Sequence, residues 1–137
     1  MSIRPNDEIL QEPFWKALAQ GQLRMQRCCE CGTFRHPPSP ICHKCASFEM
    51  EWTPLGGGAR LYSFTVARHS VHTSLDAKMP YVIALVDLDE GVRMVSSISG
   101  IAASDLRIGM RLKCSIEKVS ADFALPYFVP EPETKTP

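Results

Sequence analysis

The pattern of apolar and polar residues near the start of the chain predicts one short helix. In residues 12–20, Phe14 and Leu18 fall on one helical face together with Trp15 or Ala17. A proline suits the first turn of this helix, and a glycine follows directly after its last residue. So short a helix is marginal in isolation, so we expect it to dock on this chain or on a partner.

Alternating apolar and polar positions, together with one continuous apolar run at 80–88, predict strands in the rest of the chain. Residues 22–27 and 48–52 alternate on either side of a cysteine-rich stretch, whose proline-rich residues 32–41 form a stiff connection. After the glycines at 56–58, the pattern predicts five strands, at 59–70, 80–88, 92–98, 111–119 and 123–129. A helical turn at 101–106 follows the third. This order is typical of a Greek-key barrel of the OB type, and a five-stranded sandwich is the alternative.

Four cysteines between the first two strands form two Cys-x-x-Cys pairs. They are Cys28 with Cys31 and Cys42 with Cys45. Each pair places two thiolates on one tight turn, and two such turns complete a tetrahedron of metal ligands. Zinc is the expected ion, and iron in a rubredoxin-like site is the competitor because its ligands are identical. Four sulfur ligands leave no open position on the metal, so we predict a structural site.

The fold class is therefore mainly β, with a short N-terminal helix, a rubredoxin-like zinc ribbon and a five-stranded OB-fold barrel. We predict an N-terminal arm and helix over 1–22, the zinc ribbon over 23–53, the OB-fold domain over 54–130 and a polar tail over 131–137.

The other cysteines and the nearby histidines have simpler interpretations. Cys114 lies among apolar positions of a strand and is expected in the core, whereas Cys29 is expected to be exposed and incidental. His36 and His43 could replace a thiolate, but four cysteines already complete the site.

Composition narrows the classes of function. The chain has 137 residues with 15 basic and 15 acidic side chains, and four thiolates with one Zn²⁺ would add a charge of −2 to its formal charge of 0. A nucleic-acid binder usually carries a basic excess, so this balance argues against nucleic acid. There is no membrane-length apolar run and no signal-peptide core, which together with the free thiols predicts a cytoplasmic protein.

No motif of a catalytic site occurs in the sequence, so we assign no catalytic residue. His69, His72 and Asp76 could do acid–base work, although a polar loop is the favoured interpretation. The acidic residues at 87, 89 and 90 could bind a cation but occupy a turn, where such residues are common.

Tyr62 and Phe64 are predicted on one face of a strand. Such a pair can stack nucleic-acid bases in OB proteins, and a place in the core is the favoured interpretation.

Several short motifs follow one another in a fixed order along nearly the whole chain. They are Pro13-Phe14-Trp15, Leu23 with Gln26-Arg27-Cys28 and Cys31-Gly32, Pro37-Pro38 before the second cysteine pair, Glu51-Trp52, the glycine run, Tyr62-Ser63-Phe64-Thr65-Val66, Pro80-Tyr81 and Gly109-Met110. In this order they resemble the acyl-CoA-associated family that joins a rubredoxin-like zinc ribbon to an OB-fold domain and long carried a domain-of-unknown-function label.

The resemblance implies an accessory subunit of thiolase-superfamily enzymes: thiolases, hydroxymethylglutaryl-CoA synthases, sterol-carrier-like thiolases and steroid side-chain aldolases. In such assemblies the small protein bridges subunits or helps to hold the CoA part of an acyl-CoA, and the reaction stays with the partner. Cys28, Cys31, Cys42 and Cys45 match the metal ligands of the family, and no catalytic residue is carried over.

Our leading hypothesis is therefore a non-catalytic scaffold subunit in a hetero-oligomer with a thiolase-like enzyme, with acyl-CoA shared between them. Phe14 and Trp15 are the candidate partner-binding residues, and docking on this chain's own barrel is their alternative.

Four basic residues could meet CoA phosphates, although each taken singly reads as an ordinary surface charge. They are Arg35, Lys44, Arg60 and Arg68.

A single-stranded nucleic-acid binder is the second hypothesis for the chain. An independent enzyme that uses His69 or His72 is the third.

Overall fold

The computed structural model describes residues 10–68 and 81–131. The chain begins there with one helix, α1 (Glu12–Ala19), close to the predicted span. Its buried face presents Phe14, Ala17 and Leu18, as the spacing predicted. The helix ends where the chain turns at Gly21, whose φ of 84° favours glycine.

A three-stranded antiparallel sheet forms the ribbon. Its strands are β1 (Arg24–Cys28), β2 (Phe34–Arg35) and β3 (Met50–Pro54), with β1 in the centre. β2 lies within the segment that the sequence predicted to be only a connection, and β3 begins two residues later than predicted. The outer strands β2 and β3 flank the end of β1 that carries the first cysteine.

The second part of the chain is a closed five-stranded barrel. Its strands are β4 (Gly58–Ala67), β5 (Tyr81–Leu88), β6 (Arg93–Ile98), β7 (Arg111–Ser120) and β8 (Phe123–Pro130). They pair in the order β4-β5-β6-β8-β7, and β7 closes the barrel on β4. A 3-10 helix (Ala103–Asp105) follows β6. The prediction of an OB barrel is thereby confirmed, and the sandwich alternative is wrong.

A β-bulge in β4 changes which side chains enter the barrel. The pairing with β5 shifts between Leu61 and Ser63, so Leu61 and Phe64 both face inward while Tyr62 lies outside and is 49% exposed. The prediction that Tyr62 and Phe64 share one face, and that Tyr62 is a core residue, is therefore wrong. The guanidinium of Arg93 lies over the Tyr62 ring, 3.5 Å from its centroid.

One hydrophobic core joins the helix, the ribbon and the barrel. Leu18 of α1 and Met25 of β1 are both fully buried in the same cluster as Leu61 and Phe128 of the barrel. The helix packs mainly against β8. Within residues 10–68 and 81–131, no helix has the length and apolar composition needed to cross a membrane.

Candidate metal centre

The first cysteine pair sits on a tight turn between β1 and β2. The backbone N–H of Gly32 donates to the carbonyl of Cys28 at 3.0 Å, and the N–H of Cys28 donates to Thr33 at 2.9 Å. Gly32 adopts a φ of 76°, which glycine accepts without strain. This turn brings the sulfur of Cys31 beside that of Cys28.

The second pair repeats the same turn on the segment before β3. Here the N–H of Ala46 donates to the carbonyl of Cys42 at 2.9 Å, and the N–H of Cys42 donates to Ser47 at 2.9 Å. Ala46 occupies the position of the glycine, with a φ of 64°. The equal hydrogen-bond pattern makes the two turns structurally equivalent knuckles.

The two knuckles bring all four sulfur atoms together. The Sγ atoms of Cys28 and Cys45 lie 3.5 Å apart, those of Cys31 and Cys42 lie 3.6 Å apart, and all four lie within 4.8 Å of one another. These distances far exceed a disulfide bond of about 2.05 Å. A tetrahedral zinc ion with bonds of about 2.3 Å would hold its sulfurs about 3.8 Å apart. The donor set and its spacing therefore fit a divalent ion.

Polar groups of the two turns contact the sulfur atoms. The backbone N–H of Lys44 donates to the sulfur of Cys42 at 3.4 Å. The thiol of Cys31 donates to the hydroxyl oxygen of Thr33 at 3.2 Å, and in the thiolate form the hydroxyl becomes the donor. Sequence reasoning missed Thr33, although a hydroxyl residue stands two positions after the last cysteine of each pair.

Contacts within the cluster shift the pKa values of two of its thiols in opposite directions. A hydrogen bond with the Thr33 hydroxyl is the main cause that lowers the pKa of Cys31 to about 6. For Cys45, a backbone hydrogen bond at Ser47 acts to lower the pKa, but contact with Cys28, burial and the other sulfurs outweigh it and raise the pKa to about 12. Thiolates this close repel one another, so ionisation of all four requires a cation among them.

The other predicted cysteine and histidine positions lie outside the sulfur cluster. Cys29 is exposed, and Cys114 is half-buried against the core, where burial raises the pKa of its thiol to about 11. His36 packs on the ring of Phe14 with 5.0 Å between ring centroids, and burial lowers its pKa. His43 is exposed.

The basic residues considered for phosphate contacts are scattered. Lys44, Arg60 and Arg68 are exposed on three different segments. Arg35 is buried at 4% exposure, so its interpretation as a surface charge is wrong. The structure does not gather these four side chains into a phosphate site.

The acidic turn after β5 does not form a cation site. Asp87 pairs with Arg93 at 2.6 Å, Asp89 pairs with Arg111 at 2.7 Å, and Glu90 accepts a backbone hydrogen bond. The proposed acid–base group of His69, His72 and Asp76 lies outside the described residues.

A groove runs along the barrel beside the helix and the ribbon. One cavity of about 490 Å³ lies between Trp15, His36 and the barrel residues Ile83 and Leu125. A second, of about 820 Å³, extends towards the 3-10 helix. The two cavities adjoin, because four residues line both of them: Tyr81, Ser97, Glu117 and Tyr127.

The structure separates the two candidate partner-binding residues. Phe14 is 5% exposed and belongs to the shared core, so its side chain packs on this chain in the way the alternative interpretation described. Trp15 is half-buried, stacks near Phe123 with 5.7 Å between ring centroids, and lines the groove. Of the two, only Trp15 keeps part of its side chain exposed, on the side that lines the groove.

A tetrathiol ribbon joined to an OB barrel defines the class of protein, and comparison with known proteins defines the family. Residues 15–51 match the family model of the ChsH2 rubredoxin-like zinc ribbon domain, and residues 52–117 match that of the ChsH2 C-terminal OB-fold domain. The chain belongs to the ChsH2 family of DUF35 proteins.

Individual relatives agree with this assignment. The chain is 39% identical over 131 residues to a probable enoyl-CoA hydratase alpha subunit of Thermomonospora curvata, a match that covers 94% of this chain and 40% of that protein. It is 33% identical over 97 residues to a DUF35 domain-containing scaffold protein of Methanocaldococcus jannaschii, covering 70% and 68% of the two chains. The chain thus spans about two fifths of the length of the first relative.

A solved structure shares the whole fold. A chain of the structure described as the Ltp2-ChsH2(DUF35) aldolase superposes with a TM-score of 0.84 at 38% identity, covering 93% of this chain and 98% of that chain. The ribbon, the barrel and their order are therefore those of a known structure.

Proposed function

We propose that this chain is a non-catalytic accessory subunit that binds a thiolase-superfamily enzyme and helps to present acyl-CoA to it. The observation that carries the proposal is the match with the Ltp2-ChsH2(DUF35) aldolase structure, which covers nearly all of both chains. The M. jannaschii relative, a scaffold protein, supports the same role.

The chemistry of the candidate metal centre supports a structural role. Cys28, Cys31, Cys42 and Cys45 are the proposed ligands, and zinc is the proposed ion. An ion held by four sulfurs has no free position for water or substrate, so it supplies folding energy rather than a reacting group. The making and breaking of bonds then belongs to the partner enzyme.

The groove supplies a surface for the proposed interaction. Trp15 lines it, and so does Val95, whose apolar side chain is 62% exposed. Aromatic side chains backed by a rigid core are typical anchors of protein interfaces. Phe14 supports the Trp15 side chain: the two rings pack edge to face, with 5.0 Å between their centroids.

Single-stranded nucleic-acid binding is the second candidate because an OB barrel commonly serves that function. The bulge in β4 places Tyr62 and Phe64 on opposite sides of the strand, so they do not form a stacking pair. Oligonucleotide binding at micromolar concentration, with an affinity that falls steeply as the salt concentration rises, would favour this candidate over the accessory role.

Co-expression with the thiolase-superfamily proteins of the same organism, each in turn, tests the proposal. We expect the two chains to elute together in size-exclusion chromatography and the acyl-CoA turnover of the partner to fall when this chain is omitted. Trp15→Ala should weaken the affinity for the partner by tenfold or more, so that the two chains separate on the column. Ile108→Ala changes an exposed apolar residue outside the groove and should leave this affinity unchanged. Separate elution with unchanged turnover would refute the accessory role.

A further inference from the structure

Arg35 is a buried cation in the ribbon. Its side chain is held by neutral acceptors: its Nε donates to Gln26 Oε1 at 2.9 Å and to the carbonyl of Ser39 at 3.0 Å, and its Nη2 donates to the same carbonyl at 2.9 Å. Among the described residues, every ion pair involves other side chains. The guanidinium therefore has no carboxylate to offset its charge in this part of the chain.

Two buried donors of this group have no acceptor among residues 10–68 and 81–131. They are Nη1 of Arg35 and Nε2 of Gln26. A buried guanidinium with unmet donors and no counter-ion is strongly destabilising unless negative charge lies nearby. Negative charge on the same face of the ribbon would offset this cost.

The strand register places Arg35 on the face that carries the sulfur cluster. Arg35 of β2 lies opposite Gln26 of β1, and cross-strand partners point to the same face of a sheet. Cys28 is two residues further along β1 than Gln26, so it also points to that face. Arg35 and Cys28 therefore share one side of the three-stranded sheet.

We propose that Arg35 is the internal counter-ion of the metal centre. Four thiolates and one divalent ion carry a charge of −2, and a buried guanidinium on the same face of the sheet partly offsets that charge. The same side chain fixes Ser39, on the segment that leads to the second knuckle. This assignment concerns the chain's own metal centre and does not depend on a partner enzyme.

The proposal predicts that metal affinity follows the charge at position 35. The loaded centre is negative and the protonated, empty cluster is neutral, so a nearby positive charge favours the loaded form. Arg35→Met should weaken zinc binding, measured by competition with a chromophoric chelator, by tenfold or more. Arg35→Lys keeps the charge and loses the planar fork, and it should recover most of that affinity.

Lys44 provides a control because its charged side chain is exposed, and because its contact with the sulfur of Cys42 is made by the backbone N–H, which a substitution of the side chain keeps. Solvent screens such a charge, so Lys44→Gln should change the affinity by less than about threefold. If Arg35→Met does not fold, Arg35→Gln can be compared with Arg35→Lys in the same assay.

A second readout separates charge from hydrogen bonding. When the protein is refolded with iron, reduction adds one negative charge to the tetrathiolate centre, so a nearby cation raises the reduction potential. Removal of the charge in Arg35→Met should make the potential more negative, and Arg35→Lys should stay close to the wild-type value.

The proposal is overturned if Arg35→Lys and Arg35→Met lose zinc affinity equally and leave the potential unchanged. That result would assign Arg35 to hydrogen bonding alone. It is equally overturned if neither substitution changes zinc affinity.

Discussion

Ala46 occupies a backbone position that favours glycine. Its φ of 64° matches the 76° of Gly32 at the equivalent place in the other knuckle, and both donate the N–H that closes the turn. A side chain in this left-handed region costs about 1–2 kcal/mol. The cysteine spacing predicted both turns, whereas the strain at Ala46 could be inferred only as a departure from the glycine after Cys31.

We expect Ala46→Gly to stabilise the ribbon. Relief of the left-handed strain exceeds the added entropy of the unfolded chain, which leaves a gain of about 0.5–1 kcal/mol. Urea unfolding of the metal-loaded protein measures the change. The matched substitution Gly32→Ala should destabilise by about 1 kcal/mol, and a stabilising Gly32→Ala would contradict this account of the knuckles.

Asp89 contributes stability that depends on pH. Hydrogen bonds from the Arg111 guanidinium lower the pKa of Asp89 below its ordinary value of 3.8. A carboxyl group with a lowered pKa in the folded state stabilises the fold above its unfolded pKa, and that contribution is lost as the pH falls through the folded value. The pair is partly exposed, with 50% of the Asp89 side chain accessible, so solvent screening keeps its contribution to about 0.2–1 kcal/mol.

The expected result is that Asp89→Asn lowers the free energy of unfolding at pH 7 and that its difference from wild type shrinks below about pH 4. Parallel urea titrations of both proteins across this range give the measurement. A difference that remains constant down to pH 2 would show that the Asp89 charge is not what stabilises the pair.

At the scale of elements, the pattern of apolar residues, alternating or in a continuous run, predicted all five barrel strands to within a few residues of the structure. Two errors, the missed strand β2 and the predicted face of Tyr62, have local causes. β2 contains only Phe34 and Arg35, too few residues for a period of two to be visible. The bulge at Tyr62 adds one residue to β4, and a one-residue shift reverses the side chains that follow.

The junction between ribbon and barrel depends on the glycines before β4. Gly57 adopts a φ of 89°, and a Cβ atom added there would lie 3.2 Å from Cβ of Cys114. Its carbonyl accepts the Cys114 N–H at 2.8 Å, which begins the pairing of β4 with β7. The close approach and the unusual φ both require glycine at this position.

Gly57→Ala should therefore destabilise the barrel by about 1–3 kcal/mol. Thermal unfolding followed by far-ultraviolet circular dichroism measures the effect. Gly56→Ala is the control, because a Cβ atom added at Gly56 would meet only the carboxylate of Glu90, at 3.8 Å. Equal losses in the two variants would mean that the closure of the barrel does not depend on Gly57.

At the scale of the whole molecule, the helix and the ribbon share their core with the barrel. Phe14, Leu18 and Met25 are buried in one cluster with the side chains of the strands. The amphipathic pattern of α1 predicted its apolar face but not the surface that covers it. For the same reason the sequence placed Phe14 equally well in a partner interface or in this chain, and only the packed structure distinguishes them.

Loss of the metal should weaken this shared core without erasing the barrel. We expect Cys42→Ser to release the metal, lower the thermal midpoint of the whole chain and leave most of the far-ultraviolet dichroism of the strands in place, because the barrel closes without the ribbon. Cys29→Ser is the matched control, since Cys29 is exposed and outside the sulfur cluster. A Cys42→Ser protein with the metal content and midpoint of wild type would refute the structural role of the site.

Native mass spectrometry of this chain, co-expressed in turn with the thiolase-superfamily proteins of the same organism, tests the central claim most directly. The account predicts a hetero-oligomer in which every copy of this chain carries one divalent metal ion. A metal-free chain that is observed only alone or with copies of itself would contradict it.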